Sequence, residues 1–97
     1  MSGLVWSRRA VADLERLHDA SAKRGGDLAR RAARAIREGL RLIAARPEVG
    51  RPVGGADPAF RERPVAFGRG GGCLLLYRTD GARVVVLAVR DAGELVG

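Results

Sequence analysis

The chain of 97 residues is poor in the side chains that enzymes use most often. It contains one cysteine (Cys73), one histidine (His18) and one lysine (Lys23). No second histidine stands at metal-ligand spacing from His18, and no paired carboxylates stand at a spacing useful for acid–base catalysis. By themselves, the residues therefore predict a binding protein without catalytic residues, metal or cofactor.

Long apolar runs are missing as well. None reaches the roughly 20 residues of a membrane-spanning helix, and the N-terminus lacks the charged and apolar regions of a signal peptide. The lone Cys73 excludes an internal disulfide and lies in a predicted buried strand, which fits a reducing compartment. We therefore expect a single cytoplasmic domain spanning residues 1–97.

Positive charge, in contrast, is in excess. Lys and Arg total 18 residues against 11 Asp and Glu, which gives a net charge of +7. Such a surface can meet phosphates or an acidic protein. A nucleotide bias in the genome would produce the same excess of arginine. Charge alone therefore leaves a nucleic-acid-binding module as one possibility among others.

The clearest structural signal is a β-hairpin near the C-terminus. Residues 73–78 and 83–89 are strand-length apolar runs on either side of Asp80-Gly81, a pair that accepts the positive φ angles of a tight turn. Both runs are continuously apolar, which predicts central strands covered on both faces, or on one face plus a partner. Residues 4–6 and 60–67 are further strand candidates. Pro64 places the latter near an edge or a bulge, because it lacks an amide hydrogen.

Two helices are predicted between the first strand and the hairpin. Ser7 is a good N-cap for the first helix, which has one apolar flank, with Arg9, Asp13 and Arg16 on the other. Gly25-Gly26 end this helix.

Asp27 is predicted to cap the second helix, and Pro47 to stop it. An ordered loop is expected from there to Gly55. One face of this helix is apolar: Ala29, Ala32, Ala33, Ile36, Leu40 and Ile43. Arg30, Arg34, Arg37 and Arg41 form a stripe on another face, at offsets of four, seven and eleven. This arginine stripe is either a solvated helix face or a docking surface for acidic groups.

The order β-α-α-β-β-β predicts an α+β fold of two layers. A helix hairpin packs on one face of a mostly antiparallel sheet.

Five short motifs, in order along the chain, resemble the ParE/RelE superfamily of plasmid-stabilisation toxins. The motifs are Trp6-Ser7-Arg8-Arg9-Ala10 with Asp13-Leu14, Arg46-Pro47-Glu48-Val49-Gly50-Arg51-Pro52, Arg61-Glu62, Leu75-Leu76-Tyr77-Arg78, and Val89-Arg90-Asp91 with Glu94. The resemblance implies the toxin of a type II toxin–antitoxin pair. It also implies a small, ParD-like antitoxin, encoded adjacently, that neutralises the toxin by direct binding. Nucleic acid would be contacted only through this antitoxin.

The superfamily divides by target. RelE-like members cleave mRNA on the ribosome and rely on lysines, two arginines and a tyrosine. The lysine positions fall near Val65 and Phe67, and the first arginine position falls near Leu74. Towards the C-terminus Arg90 matches the second arginine, but Val96 stands where the tyrosine would be. ParE-like members lack these residues and are described as poisoning DNA gyrase, so the chain is more similar to them. A gyrase inhibitor that performs no chemistry is the first hypothesis. A ribosome-dependent mRNA endonuclease and a non-toxic basic nucleic-acid-binding module are the alternatives.

Two sets of contact residues are predicted. Arg90, Asp91 and Glu94 follow directly on a buried strand that would fix their positions, and Arg61 belongs to another matching motif; these four are the candidates for target binding. The arginine stripe is the candidate for antitoxin binding. The single helix layer would leave an apolar surface uncovered, and the stripe would lie at its edge. An amphipathic antitoxin segment would fold on that surface.

Overall fold

The computed structural model describes residues 3–54, 57, 59–68 and 71–91. In chain order its elements are β1 (Gly3–Trp6), α1 (Arg8–Arg24), α2 (Gly26–Ala45), a 3₁₀ turn (Pro47–Val49), β2 (Arg51–Pro52), β3 (Phe60–Ala66), β4 (Gly72–Asp80) and β5 (Arg83–Asp91). The predicted α+β order is confirmed. The two residues of β2 add a strand within the stretch predicted as a loop. Within the described segments, no helix is long and apolar enough to cross a membrane.

The predicted hairpin forms the centre of the sheet. The strand order is β1-β5-β4-β3-β2, with β4 antiparallel to both β5 and β3. Gly81 takes the positive φ of 59° that the turn between β4 and β5 requires. β1 pairs with β5 in parallel, so the sheet is mixed.

The far edge of the sheet lies at β3. β2 pairs only with Arg61 and Glu62, so the rest of β3 has β4 as its single strand neighbour. Pro64 lies in this unpaired part, which confirms its predicted place at an edge. Its missing amide hydrogen reduces the chance that another chain adds a strand there.

Both helices pack on the same face of the sheet. Leu75, Tyr77 and Val84 are fully buried on this covered face, in one cluster with Ile36 and Ile43 of α2. Alternate residues of the same strands point to the opposite face, which no helix of the described chain covers and which we call the uncovered face. There they are half-buried: Leu74, Leu76 and Val85. Of the two predicted arrangements for the central strands, the described chain therefore shows the one with a single covered face.

Only one of the two predicted helix starts is confirmed. Ser7 caps α1 as predicted, because its hydroxyl accepts a hydrogen bond from the Ala10 amide at 3.0 Å. The prediction that Asp27 caps α2 is wrong. Gly25 is the N-cap, with φ 134° and no side-chain cap, so α2 begins before Asp27. Asp27 lies in the first turn instead, where its carboxylate pairs with Arg31 at 3.3 Å.

Candidate functional site

An apolar groove runs between the two helices on the side away from the sheet. Leu14 and Leu17 of α1 form one wall, and α2 supplies the other with Ala33, Ile36 and Leu40. The cavity measures about 470 Å³. Alanine side chains are short, so this wall leaves room for side chains of a partner between the helices.

The two rims of this groove carry opposite charge. Glu15 and Asp19 lie on the α1 rim, and Arg37 lies on the α2 rim. All four members of the arginine stripe are exposed, and within the described residues none has an ion-pair partner. The stripe thus meets the groove between the helices at Arg37. We expected it beside the uncovered face of the sheet, but α2 packs on the opposite side of the sheet, so that expected location is wrong.

Asp13 lies in a different environment from the one that the sequence predicts. It was predicted on the polar flank of α1, but it is buried at 6% exposure. Its Oδ2 accepts a hydrogen bond from the Val89 amide at 3.0 Å. Its carboxylate also pairs with Arg16, and with Arg9 at 3.7 Å. A buried carboxylate is thereby given both a hydrogen-bond donor and positive charge.

β1 is shorter than its neighbour β5, and this difference explains the position of Asp13. β1 pairs only with residues 83–86 of β5, so the later part of that strand faces α1. There the Ser7 hydroxyl donates to the Leu87 carbonyl at 2.9 Å, and Asp13 accepts from Val89. One signal could have revealed this. Asp13 lies three residues after Ala10 and four before Leu17, which is the spacing of the apolar stripe.

The four candidates for target binding do not form one surface in the described chain. Directly opposed residues of paired strands point to the same face. Arg90 lies opposite Leu74, on the uncovered face, whereas Asp91 lies opposite Cys73, on the covered one. Arg61 also points to the covered side, where its guanidinium donates to the Gly50 carbonyl at 2.7 Å. Glu94 lies outside the described residues, and all four assignments stay predictions.

Tyr77 connects the sheet to the turn after α2. Its ring is fully buried, as predicted for a core residue. The hydroxyl donates to the Pro47 carbonyl at 2.6 Å and accepts from the Gly50 amide at 2.8 Å. Burial raises the pKa of Tyr77, and the hydrogen bond from Gly50 acts in the opposite direction. The motif at residues 46–52 therefore has a structural role as the partner of this tyrosine.

Cys73 is buried beside Asp91, and its thiol is expected to be inert. Burial raises its pKa from 9.0 to about 12, and the Asp91 carboxylate acts in the same direction. At pH 8 its thiolate fraction is then about a thousandfold below that of a free thiol. We predict no labelling of the folded protein by iodoacetamide at pH 8 and complete labelling in denaturant. Rapid labelling of the folded protein, measured by mass spectrometry, would contradict this.

Three of the positions that align with RelE-like catalytic residues are apolar in the described chain. The described residues also contain no cluster of three or more His, Cys, Asp or Glu side chains that could hold a metal. Val65 and Phe67, which align with RelE lysines, are buried in the hydrophobic core. Leu74, which aligns with an arginine, is half-buried on the uncovered face.

Two helices packed on one face of a five-stranded mixed sheet are consistent with the ParE/RelE fold. The family model described as "ParE toxin of type II toxin-antitoxin system, parDE" matches residues 4–96. The chain belongs to this ParE toxin family of type II toxin–antitoxin systems.

The fold is also found among solved structures. The chain is similar to one described as "Chromosomal ParDE TA system from P. aeruginosa", with a TM-score of 0.73 and 22% sequence identity. The similarity covers 94% of this chain and 96% of that one. At this identity the match establishes a shared fold. No curated protein sequence matches the chain.

Proposed function

We propose that the chain inhibits DNA gyrase in the cytoplasm by binding it, without performing chemistry, and is neutralised by direct binding of a ParD-like antitoxin. The observation that carries this proposal is the family match over residues 4–96. The burial of Val65 and Phe67 further supports binding over mRNA cleavage, since apolar core residues cannot transfer a proton or stabilise a phosphate.

Induced expression in a bacterial host tests this proposal. The chain alone should arrest growth and induce DNA-damage signalling, and co-expression of the adjacent antitoxin gene should restore growth. Inhibition of DNA supercoiling by purified gyrase should accompany the arrest. Abrupt loss of translation without DNA damage would instead identify a ribosome-dependent endonuclease. Normal growth would favour a non-toxic nucleic-acid-binding module.

The groove between α1 and α2 is the proposed antitoxin site. An amphipathic antitoxin segment, disordered when free, would place its apolar side chains against Leu14, Leu17 and Ile36 and fold there. Acidic antitoxin residues would then face the arginine stripe, and basic ones would face Glu15 and Asp19. Burial of the apolar groove would supply most of the affinity, while the rim charges would speed association and set the orientation.

Reversing the stripe to glutamate is expected to slow antitoxin association by about ten- to a hundredfold. The variant carries all four changes: Arg30→Glu, Arg34→Glu, Arg37→Glu and Arg41→Glu. Its association should lose most of its salt dependence, while dissociation should rise only modestly. Surface plasmon resonance at several salt concentrations measures both rates.

A control protein carries the same change in net charge outside the groove. It has four other exposed arginines reversed: Arg8, Arg46, Arg78 and Arg90. Equal slowing in both proteins would show that net charge, and not the arginine stripe, steers the antitoxin. Unchanged kinetics in the stripe variant would leave the stripe as a solvated helix face.

A further inference from the structure

The uncovered face of the sheet has an ordered arrangement of its own. Register places Val5, Val85, Arg78 and Phe60 in one row across four strands. The next row holds Ala88, Leu76 and Glu62, and the third holds Arg90, Leu74 and Pro64. These three rows are mostly apolar, with Arg78 in the first and Arg90 in the third. A further row beside the hairpin turn holds Gly3, Arg83 and Asp80.

Arg78 and Arg90 differ from the other charged residues on this face, which pair with one another. The Arg51 Nε lies 2.9 Å from the Glu62 carboxylate, and Arg83 lies 3.3 Å from the Asp80 carboxylate. Arg78 and Arg90 are both exposed, and within the described residues neither has a hydrogen-bond or ion-pair partner. Four residues of β4 separate the first row from the third, so the arginines stand about 14 Å apart at the usual rise per residue.

Most apolar residues of these rows are partly accessible, while Ala88 in the middle row is buried. Val5 is 38% exposed. Leu74, Leu76 and Val85 are half-buried, and both helices pack on the opposite face, so among the described residues their cover comes from strand neighbours. Contiguous apolar surface rimmed by polar groups is typical of protein interaction sites.

We infer that the uncovered face of the sheet is the surface by which the toxin binds its target protein, and that Arg78 and Arg90 each anchor a carboxylate of the target surface. Between these carboxylates the target presents apolar side chains. This inference rests on the proposed function, in which the chain acts by binding another protein. It adds which surface binds the target and which side chains make the contact.

The composition of the face favours protein over nucleic acid. A phosphate backbone places a charge at every nucleotide, and binding it takes many cations along a track. Here two cations flank a centre of aliphatic side chains, which an apolar protein surface can cover and a phosphate backbone cannot. The face is also separate from the groove between the helices, so changes in one leave the other intact.

The test compares two double reversals with equal charge change. Arg78→Glu with Arg90→Glu, the sheet-face variant, alters the uncovered face. Arg34→Glu with Arg37→Glu, the groove variant, alters the arginine stripe where Arg37 lines the groove. Each full-length variant is expressed in the host in which the wild type arrests growth. Purified proteins are compared for inhibition of gyrase supercoiling, antitoxin binding and melting temperature.

The sheet-face variant should be at least about tenfold less toxic, with unchanged antitoxin affinity and melting temperature. The groove variant should remain toxic. Arg78→Lys with Arg90→Lys should retain part of the toxicity, because the positive charge is kept.

Full toxicity of the sheet-face variant would overturn the inference. Loss of antitoxin binding by this variant would also overturn it, because the face would then belong to the antitoxin site. Binding of a DNA duplex that only the sheet-face variant loses would also overturn it. A toxic wild type that leaves gyrase supercoiling unaffected refutes the proposed target alone. The inference is then supported or overturned by the toxicity of the variants. A wild type that neither arrests growth nor binds gyrase would overturn both.

Discussion

Replacing Asp13 with alanine is expected to lower the free energy of unfolding by about 2–4 kcal/mol. The change leaves the Val89 amide without its acceptor and removes the partner of Arg9 and Arg16. Asp13→Asn keeps an acceptor oxygen of nearly the same shape but loses the charge, so its cost should be smaller, about 1–2 kcal/mol.

Urea unfolding measures the loss in each Asp13 variant, and hydrogen exchange of the Val89 amide shows whether it is local. In Asp13→Ala this amide should exchange much faster than those of the central hairpin. Asp19→Ala is the matched control, since Asp19 is an exposed carboxylate on the same helix, and it should change stability by less than about 0.5 kcal/mol. Equal stability of the Asp13 and Asp19 variants would show that the buried carboxylate contributes nothing.

Adding one methyl group at Gly50 is expected to destabilise the protein by about 2–4 kcal/mol. A Cβ atom there would lie 2.4 Å from the Tyr77 hydroxyl oxygen and 2.9 Å from the Glu62 carbonyl oxygen. Either the ring or the turn must move, which breaks the hydrogen bond from the Gly50 amide. The φ of Gly50 is −73°, a value open to any residue, so the cost comes from contact and not from backbone strain.

A double-mutant cycle with Tyr77→Phe isolates this contact. Without the hydroxyl group, Gly50→Ala should cost less, and the difference between its cost in the two backgrounds measures the coupling. Gly54→Ala serves as the control, because no atom of the described residues lies within 4 Å of its added Cβ. Equal costs of Gly50→Ala with and without the hydroxyl would rule out the hydroxyl contact as the cause and leave the Tyr77 ring carbon Cε1 and the Glu62 carbonyl, each 2.9 Å from the added Cβ.

Features that the sequence encodes locally were predictable. The hairpin follows from two apolar runs around Asp80-Gly81, the first helix start from Ser7, and the sheet edge from the missing amide of Pro64. Each depends on a few neighbouring residues and their backbone preferences. The two residues of β2 escaped prediction because a strand this short has no periodicity to detect.

Features that depend on where another element ends were not predictable in this way. Asp13 accepts from Val89 because β1 covers only the first half of β5, which no local pattern reveals. Arg90 and Asp91 point to opposite faces because β5 continues to residue 91, beyond its apolar run. The apolar run alone did not predict this. The spacing of the arginine stripe was visible in the sequence, but the groove beside it exists only once the two helices pack together.

The pairing of β1 with β5 ties closure of the sheet to the synthesis of β5. The hydrogen bond between the Ser7 hydroxyl and the Leu87 carbonyl joins residues 80 positions apart, and that between Val89 and Asp13 joins residues 76 apart. Such distant contacts form late, because a long loop must close before they contribute. The helix hairpin can form from contiguous chain while the ribosome is still translating. The sheet can close only after β5 has left the ribosomal exit tunnel, so a newly made toxin has its two helices before it has its complete sheet.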